Sequence, residues 1–279
     1  MHTLRPSVAI LPTKAMNTIL TRQQGAVLEI VLNRPQSLNA LNDEMMADLG
    51  KVLLELDDNS SVRCVLLKGA GPGFMAGGDV KMFYQQITQP AEQRQETFKQ
   101  FVGLLHPVID KLANLPLPVV AAVQGAVAGF GVSLTMLCDF VIAADDSFFT
   151  LAYIHLGATP DGSSTWFLPR LVGLRRAKEI ALLGERISAQ EAVRLGLAYK
   201  VVPPTDLENE AAALAARLAA GPTHAYGKTK ALLHASLGRT LIEQMDAEVA
   251  SFAECASRQD FTEGVSAFVE RRKAVFTGK

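Results

Sequence analysis

Cysteine is scarce in this chain: Cys64, Cys138 and Cys255 are the only three in 279 residues. They lie far apart in apolar surroundings and form no CxxC pair, which excludes a disulfide framework and fits a reducing compartment. The five histidines, at positions 2, 106, 155, 224 and 234, form no HxH or HxxxH group, so no metal is expected. Charge of one sign is also missing. The formal net charge is -1, and no basic stripe runs through the sequence, so neither nucleic acid nor a membrane surface is an expected partner. No uncharged apolar run reaches the ~18 residues of a membrane-spanning helix. A cytoplasmic protein is expected. The opening MHTLRPSVAILPTKAM carries Arg5 and Lys14 but no acid, and Pro6 and Pro12 break any signal-like apolar core. Residues 1–16 are read as a flexible arm. An organellar presequence is the alternative, with Met16 as a second start.

What is present is apolar and periodic. AVLEIVLNRP (26–35), CVLLKGA (64–70), PVVAAVQG (118–125) and FVIAA (140–144) read as buried strands. Residues 41–59 read as a helix capped by Asn42, and residues 91–114 as one polar-faced helix with Phe98, Phe101, Leu105 and Val108 at helical spacing. Strands alternating with helices predict an α/β fold with a largely parallel sheet. The last third is helical: Leu207, Ala211, Leu214 and Leu218, then Leu241, Met245 and Val249, then Phe261, Val265 and Phe268, recur at three or four. The expected plan is a β/α core over 17–200 and a helical region over 201–279.

Two glycine loops offer backbone chemistry. FMAGGDVKMF (74–83) and QGAVAGFGVSLTMLCDF (124–140) each place free N–H groups where a helix begins. Two such groups aimed at one point make an oxyanion hole, although either loop alone also reads as a tight turn. The second lacks the spacing and the ribose-binding acid of a dinucleotide site, so a nicotinamide cofactor is rejected. A third loop, ATPDGSSTW (158–166), holds one carboxylate, Asp161, before a helix. From the loop alone this aspartate reads as an N-cap.

Taken together, AVLEIVLNRPQSLNALN, FMAGGDVKMF, PVVAAVQGAVAGFGVSLTMLCDFVIAADDSFF, LPRLVGLRRAKEIALLGERISAQEAVRLGLAYKVVP and EGVSAFVERRKAVF resemble the enoyl-CoA hydratase/isomerase (crotonase) superfamily, over about residues 18–276. The resemblance implies a spiral of ββα units with a helical C-terminal trimerisation region. It implies a homotrimer or a hexamer, an acyl-CoA substrate, and no cofactor beyond the coenzyme A that the substrate carries. It assigns the oxyanion N–H groups to Gly78 and Phe130. Phe130 stands where the family often has glycine, so its ring must turn away from the thioester or shape the acyl pocket. Ala76, Gly77, Asp79, Val80 and Lys81 fall in the stretch that borders coenzyme A. Arg271, Arg272 and Lys273 fall in a basic stretch from which the family draws a phosphate contact, and Lys273 is the residue assigned to it.

Hydratases of this family use two glutamates, and the matching positions here are Ser133 and Tyr153. The loop around Asp161 resembles instead the isomerase branches, which carry an acid there. A single carboxylate suits a double-bond shift: it takes a proton from C2 of a 3-enoyl-CoA and returns it to C4, with no activated water. Asp161 is therefore the expected base, with Ser133, Tyr153 and Trp166 in the acyl pocket. His155 and His106 are expected to be structural. An atypical hydratase or lyase, and a non-catalytic acyl-CoA-binding relative, are the alternatives.

Overall fold

The computed structural model describes residues 14–279. Most of the expected N-terminal arm lies outside them. Lys14–Ala15, inside that arm, form a short strand β1 paired antiparallel with β2 (Ile19–Gln24).

A seven-stranded sheet forms the centre. β2 and β3 (Val27–Leu32) are antiparallel, and β4 (Cys64–Gly69), β5 (Val119–Val123), β7 (Phe140–Ala144) and β10 (Lys200–Val202) continue in parallel beyond β3. A second small sheet joins β6 (Ala126–Ala128), β8 (Phe148–Thr150) and β9 (Ile187–Ser188). Single parallel bridges extend this pairing, Met75 with Val127 and Leu41 with Gly78.

The chain repeats one path. It leaves the large sheet, makes a short pairing in the second layer, then enters a helix. After β3 and Leu41 comes α1 (Asp43–Glu55). After β4 and Met75 come α2 (Val80–Gln86), α3 (Ala91–Leu104) and α4 (His106–Ala113). β5 and β6 lead into α5 (Phe130–Met136), and β7 and β8 lead into α6 (Ser164–Val172) and α7 (Leu174–Leu183). This is the expected spiral of ββα units. The single helix expected over 91–114 is divided into α3 and α4. Pro107 sits in the first turn of α4, where its missing N–H costs nothing but a continuous helix is barred.

Alternation along the parallel strands separates two cores. Val65, Leu67, Ala121, Val123 and Val141 face α1, α4 and α5. Cys64, Leu66, Val120, Ala122 and Ile142 face the other way, against Ala211, Ala215 and Leu218 of α9 (Leu207–Ala219), which follows α8 (Ala189–Arg194) and β10. The chain ends in α10 (Thr223–Ser236), α11 (Leu241–Ala256) and α12 (Gln259–Val269). Thr240 and Glu243 close a capping box on α11.

One buried side chain ties the first two units together. Asn39 has no exposed surface and a left-handed φ of 55°. Its Nδ2 lies within hydrogen-bonding distance of the carbonyls of Ala70 (2.9 Å), Gly73 (2.9 Å) and Phe74 (3.1 Å), and its Oδ1 accepts from the Arg34 N–H (2.8 Å). Asn39→Ala leaves these groups unpaired and puts a Cβ-bearing residue with no local compensation at positive φ. Urea denaturation is expected to show a loss of about 2–5 kcal/mol.

Candidate active site

Asp161 is delivered by a loop with unusual backbone. After β8 a short 3-10 helix, Ala152–Leu156, carries Tyr153, and Gly157 ends it in the left-handed region. Gly162 (φ 61°) and Ser163 (φ 67°) are also left-handed, and α6 begins one residue later. The start of α6 uses the main chain of Asp161, not its carboxylate. The Asp161 carbonyl accepts from Ser164 N (3.1 Å), Ser164 Oγ (2.7 Å) and Ser133 Oγ (3.3 Å). The capping reading of the side chain is thus corrected. The carboxylate instead lines a cavity of about 930 Å³ and accepts a 2.5 Å hydrogen bond from the Tyr153 hydroxyl at Oδ1.

The two glycine loops meet on the same cavity. In the Leu41–Gly78 bridge, Leu41 donates to the Gly77 carbonyl (2.7 Å) and accepts from Asp79 N (2.9 Å). In a parallel bridge of that register the N–H of Gly78 itself points away from Leu41. Phe130 opens α5, so its N–H precedes any i−4 acceptor. Neither N–H takes an acceptor among the described residues, and both residues line the cavity. Gly77 and Gly129 lie in backbone contact between them: a Cβ built on Gly129 would sit 3.2 Å from Gly77 Cα and 3.9 Å from the Tyr153 ring. The Phe130 ring does not enter the space above its N–H. It packs under Gly162, where an added Cβ would stand 2.6 Å from Phe130 Cδ2.

Electrostatics separate the acid from its partner. Burial raises the Asp161 carboxyl above its ordinary value, and the Tyr153 hydrogen bond partly offsets this. Burial and then the neighbouring Asp161 charge push the Tyr153 phenol far up, so it stays protonated and donates. The Ser133 hydroxyl donates to the Asp161 carbonyl (3.3 Å) and works against the rise of the phenol. Ser133 has no exposed surface and supports the pair from behind without lining the cavity.

The other expected site residues divide. Ala76, Gly77 and Val80 are at the cavity or its rim, with Val80 half exposed. Lys81 is exposed at the start of α2. Asp79 caps α2 through Lys81 N (3.2 Å) and pairs with Arg34 (2.9 Å). Burial works to raise its carboxyl, but the Arg34 guanidinium overrides that and holds it low. Lys273 is exposed beyond α12, and Arg272 beside it is engaged by Glu263 and Glu270. Trp166 is corrected: it does not line the Asp161 cavity. Its ring lies on the far side of the loop, edge-on to Phe167 (4.5 Å) and His234 (5.0 Å), with the Arg170 guanidinium 3.7 Å from its centre. His155 lines the cavity with its Nε2 3.1 Å from the Gly184 carbonyl, and His106 borders the Trp166 side.

Sequence reasoning missed two features. Arg34 bonds the Ala40 carbonyl and Asp79, so it clamps the loop that presents Gly78. Phe83, Phe98 and Phe101 wall the apolar side of the cavity, edge to face at 5.0 and 6.0 Å. The apolar spacing of α3 was the available signal for the second feature. Among the described residues no cluster of three metal-ligating side chains exists and no helix is long and apolar enough to cross a membrane. Burial pushes the Cys64 thiol up to about 12, which leaves it unreactive.

Comparison with known proteins agrees with this frame. The enoyl-CoA hydratase/isomerase family model matches residues 22–279. A 1,2-epoxyphenylacetyl-CoA isomerase of Escherichia coli is 40% identical over 265 residues, 95% of this chain and 100% of that protein. A short-chain-enoyl-CoA hydratase of Clostridium acetobutylicum is 33% identical, over 92% of this chain and 97% of the other. The crystal structure of an enoyl-CoA hydratase from Polaromonas sp. JS666 superposes with a TM-score of 0.87 at 34% identity, covering 93% of this chain and 99% of that one. The chain belongs to the enoyl-CoA hydratase/isomerase family, the crotonase superfamily of enzymes.

Proposed function

We propose that this enzyme shifts a double bond within an acyl-CoA, converting a 3-enoyl-CoA to a 2-enoyl-CoA. The observation that carries the reading is the single cavity carboxylate, Asp161, whose neighbour at the second acid position is a neutral tyrosine. The thioester oxygen sits on the N–H groups of Gly78 and Phe130. Asp161 removes a C2 proton that both the thioester and the C3–C4 double bond acidify. The dienolate charge gathers on the thioester oxygen, where fixed donors lower the barrier. The same carboxyl then protonates C4. Each proton leaves carbon for Asp161 and returns from Asp161 to carbon, so the cycle closes without water, metal or redox cofactor. Coenzyme A enters with the substrate along Ala76–Lys81, and the exposed Lys273 is the residue we assign to a phosphate contact.

A second reading, isomerisation within a ring-bearing acyl-CoA, has one observation in its favour. The wall of Phe83, Phe98 and Phe101 suits a flat acyl group. The E. coli relative is named for such a substrate.

The assembly belongs to the same proposal. Leu241, Met245, Val249 and Phe252 run along α11 and Phe268 along α12, each more than half exposed. Apolar stripes of this kind need cover, and we assign it to further copies of the chain in a trimer or hexamer.

Four outcomes test the proposal. With 3-hexenoyl-CoA the product is 2-hexenoyl-CoA, and Asp161→Asn lowers kcat about 10²–10⁴-fold. Dominant hydration of crotonyl-CoA would sink the isomerase reading. Because folding raises the Asp161 pKa, its contribution to stability is full below the unfolded value and is lost as pH rises through the folded one. The Asn variant is therefore expected to melt no lower than wild type at neutral pH, which separates lost chemistry from lost fold. The pH profile of kcat/KM should fall on the acid side, with the limb above the ordinary aspartate value of about 3.9; a flat profile there would remove Asp161 as the base. Light scattering should give a trimer or hexamer, and Val249→Glu should reduce its mass.

A further inference from the structure

We infer that Tyr153 is the positioning residue of Asp161: it occupies one carboxylate oxygen, Oδ1, and so assigns all proton transfer to the other, Oδ2. This rests on the isomerase reading and deepens it.

The geometry is specific. Tyr153 and Asp161 lie eight residues apart on either side of a loop with left-handed backbone at Gly157, Gly162 and Ser163. The phenol donates to Oδ1 at 2.5 Å. The ring lies beside Gly129, whose Cβ position would stand 3.9 Å from Tyr153 Cε2 and Cζ, an ordinary contact distance. Ser133, buried behind, holds the Asp161 carbonyl with its Oγ and touches the phenol. The carboxylate is thus fixed at its backbone and at one oxygen, and Oδ1 has its donor inside the protein. No side-chain donor other than the Tyr153 phenol reaches the carboxylate among the described residues, the remaining hydrogen bond coming from the main-chain N–H of Asp161 itself, and Oδ2 is the oxygen left for C2 and C4.

This arrangement also bears on product. A carboxylate with both oxygens open can hold a water on one and accept its proton on the other. Here one oxygen is taken by a phenol that does not ionise, and among the described residues no second carboxylate lines the cavity. The other titratable groups on the cavity wall are Tyr84, at the exposed mouth, and His155, engaged by the Gly184 carbonyl. Across the loop, on the face lined by Gly162 and Ser163, stand His106, Asp110, His234 and Arg239. None of these appears among the charges that shift Asp161, whose only side-chain partner is Tyr153.

The test is a double-mutant cycle on the full-length protein with 3-hexenoyl-CoA, using wild type, Tyr153→Phe, Asp161→Asn and the pair. A hydrogen bond to a charged group supports a drop in kcat on the order of ten- to a hundred-fold for Tyr153→Phe, with KM changed by less than about threefold. The acid limb of kcat/KM moves to higher pH, since the lost donor had stabilised the carboxylate. In the Asp161→Asn background the second substitution has no further effect. Thermal melts identify a variant that fails to fold, and for that case Tyr153→3-fluorotyrosine serves instead: a more acidic phenol donates more strongly and moves the limb to lower pH. A limb that stays in place in both variants, or losses that multiply in the double mutant, overturns the inference. Failure of wild type to convert the substrate at all would instead overturn the isomerase reading.

Discussion

Two glycines in backbone contact hold this site together. Gly77 and Gly129 belong to different turns of the spiral and pack closely, a Cβ on Gly129 standing 3.2 Å from Gly77 Cα. Gly129 has φ 50° and ψ -119°, a conformation essentially restricted to glycine. Gly131 completes the approach, since a Cβ there would stand 2.5 Å from the Met75 carbonyl. The contact fixes the relative position of the next residues, Gly78 and Phe130, whose N–H groups face the cavity. Everything upstream serves this meeting. The Met75–Val127 bridge sets the register, Asn39 holds the strand that leads to it, and the Arg34–Asp79 pair secures the start of α2.

Phe130 links the two halves of the chemistry. Its backbone N–H is one of the two proposed donors, and its ring packs against the loop that carries Asp161 at Gly162. A side chain at position 162 would collide with that ring. The bulk at 130, where the family often has glycine, is thus matched by an absence at 162. Donor and base are held at a fixed separation by one residue.

The sheet was legible where strands are buried on both faces. The runs at 27–32, 64–69, 119–123 and 140–144 are predominantly apolar, interrupted by charge only at Glu29 and Lys68. The second layer was not, because β6, β8 and β9 are two or three residues long and carry no pattern of their own. Trp166 was misplaced for a local reason. Two left-handed residues reverse the chain after Asp161, so a side chain five positions later faces the opposite side of the loop. Asn39 and Arg34 were invisible because the partners that define them lie 31 to 45 residues away. Asp161 was legible only through the family resemblance, which puts an acid at this position and glutamates where this chain has Ser133 and Tyr153; the loop alone reads as a helix cap.

A proton shuttle has a requirement that a simple base does not. In the proposed isomerisation, Asp161 must be basic enough to remove a proton from carbon and acidic enough to give it back. Burial alone would raise its pKa until it no longer ionised, and full hydrogen bonding would lower it until it no longer accepted. The cavity applies both effects to one carboxylate, desolvation over the group and hydrogen bonds from the neutral Tyr153 hydroxyl at Oδ1 and from the main-chain N–H of Asp161. A charged partner in place of Tyr153 would break this balance: a cation would hold the carboxylate too low, and a second acid would offer another destination for the proton. A phenol whose own ionisation is suppressed does neither. The substitution of tyrosine for a carboxylate at this position is therefore part of what lets one aspartate work at both ends of the shift.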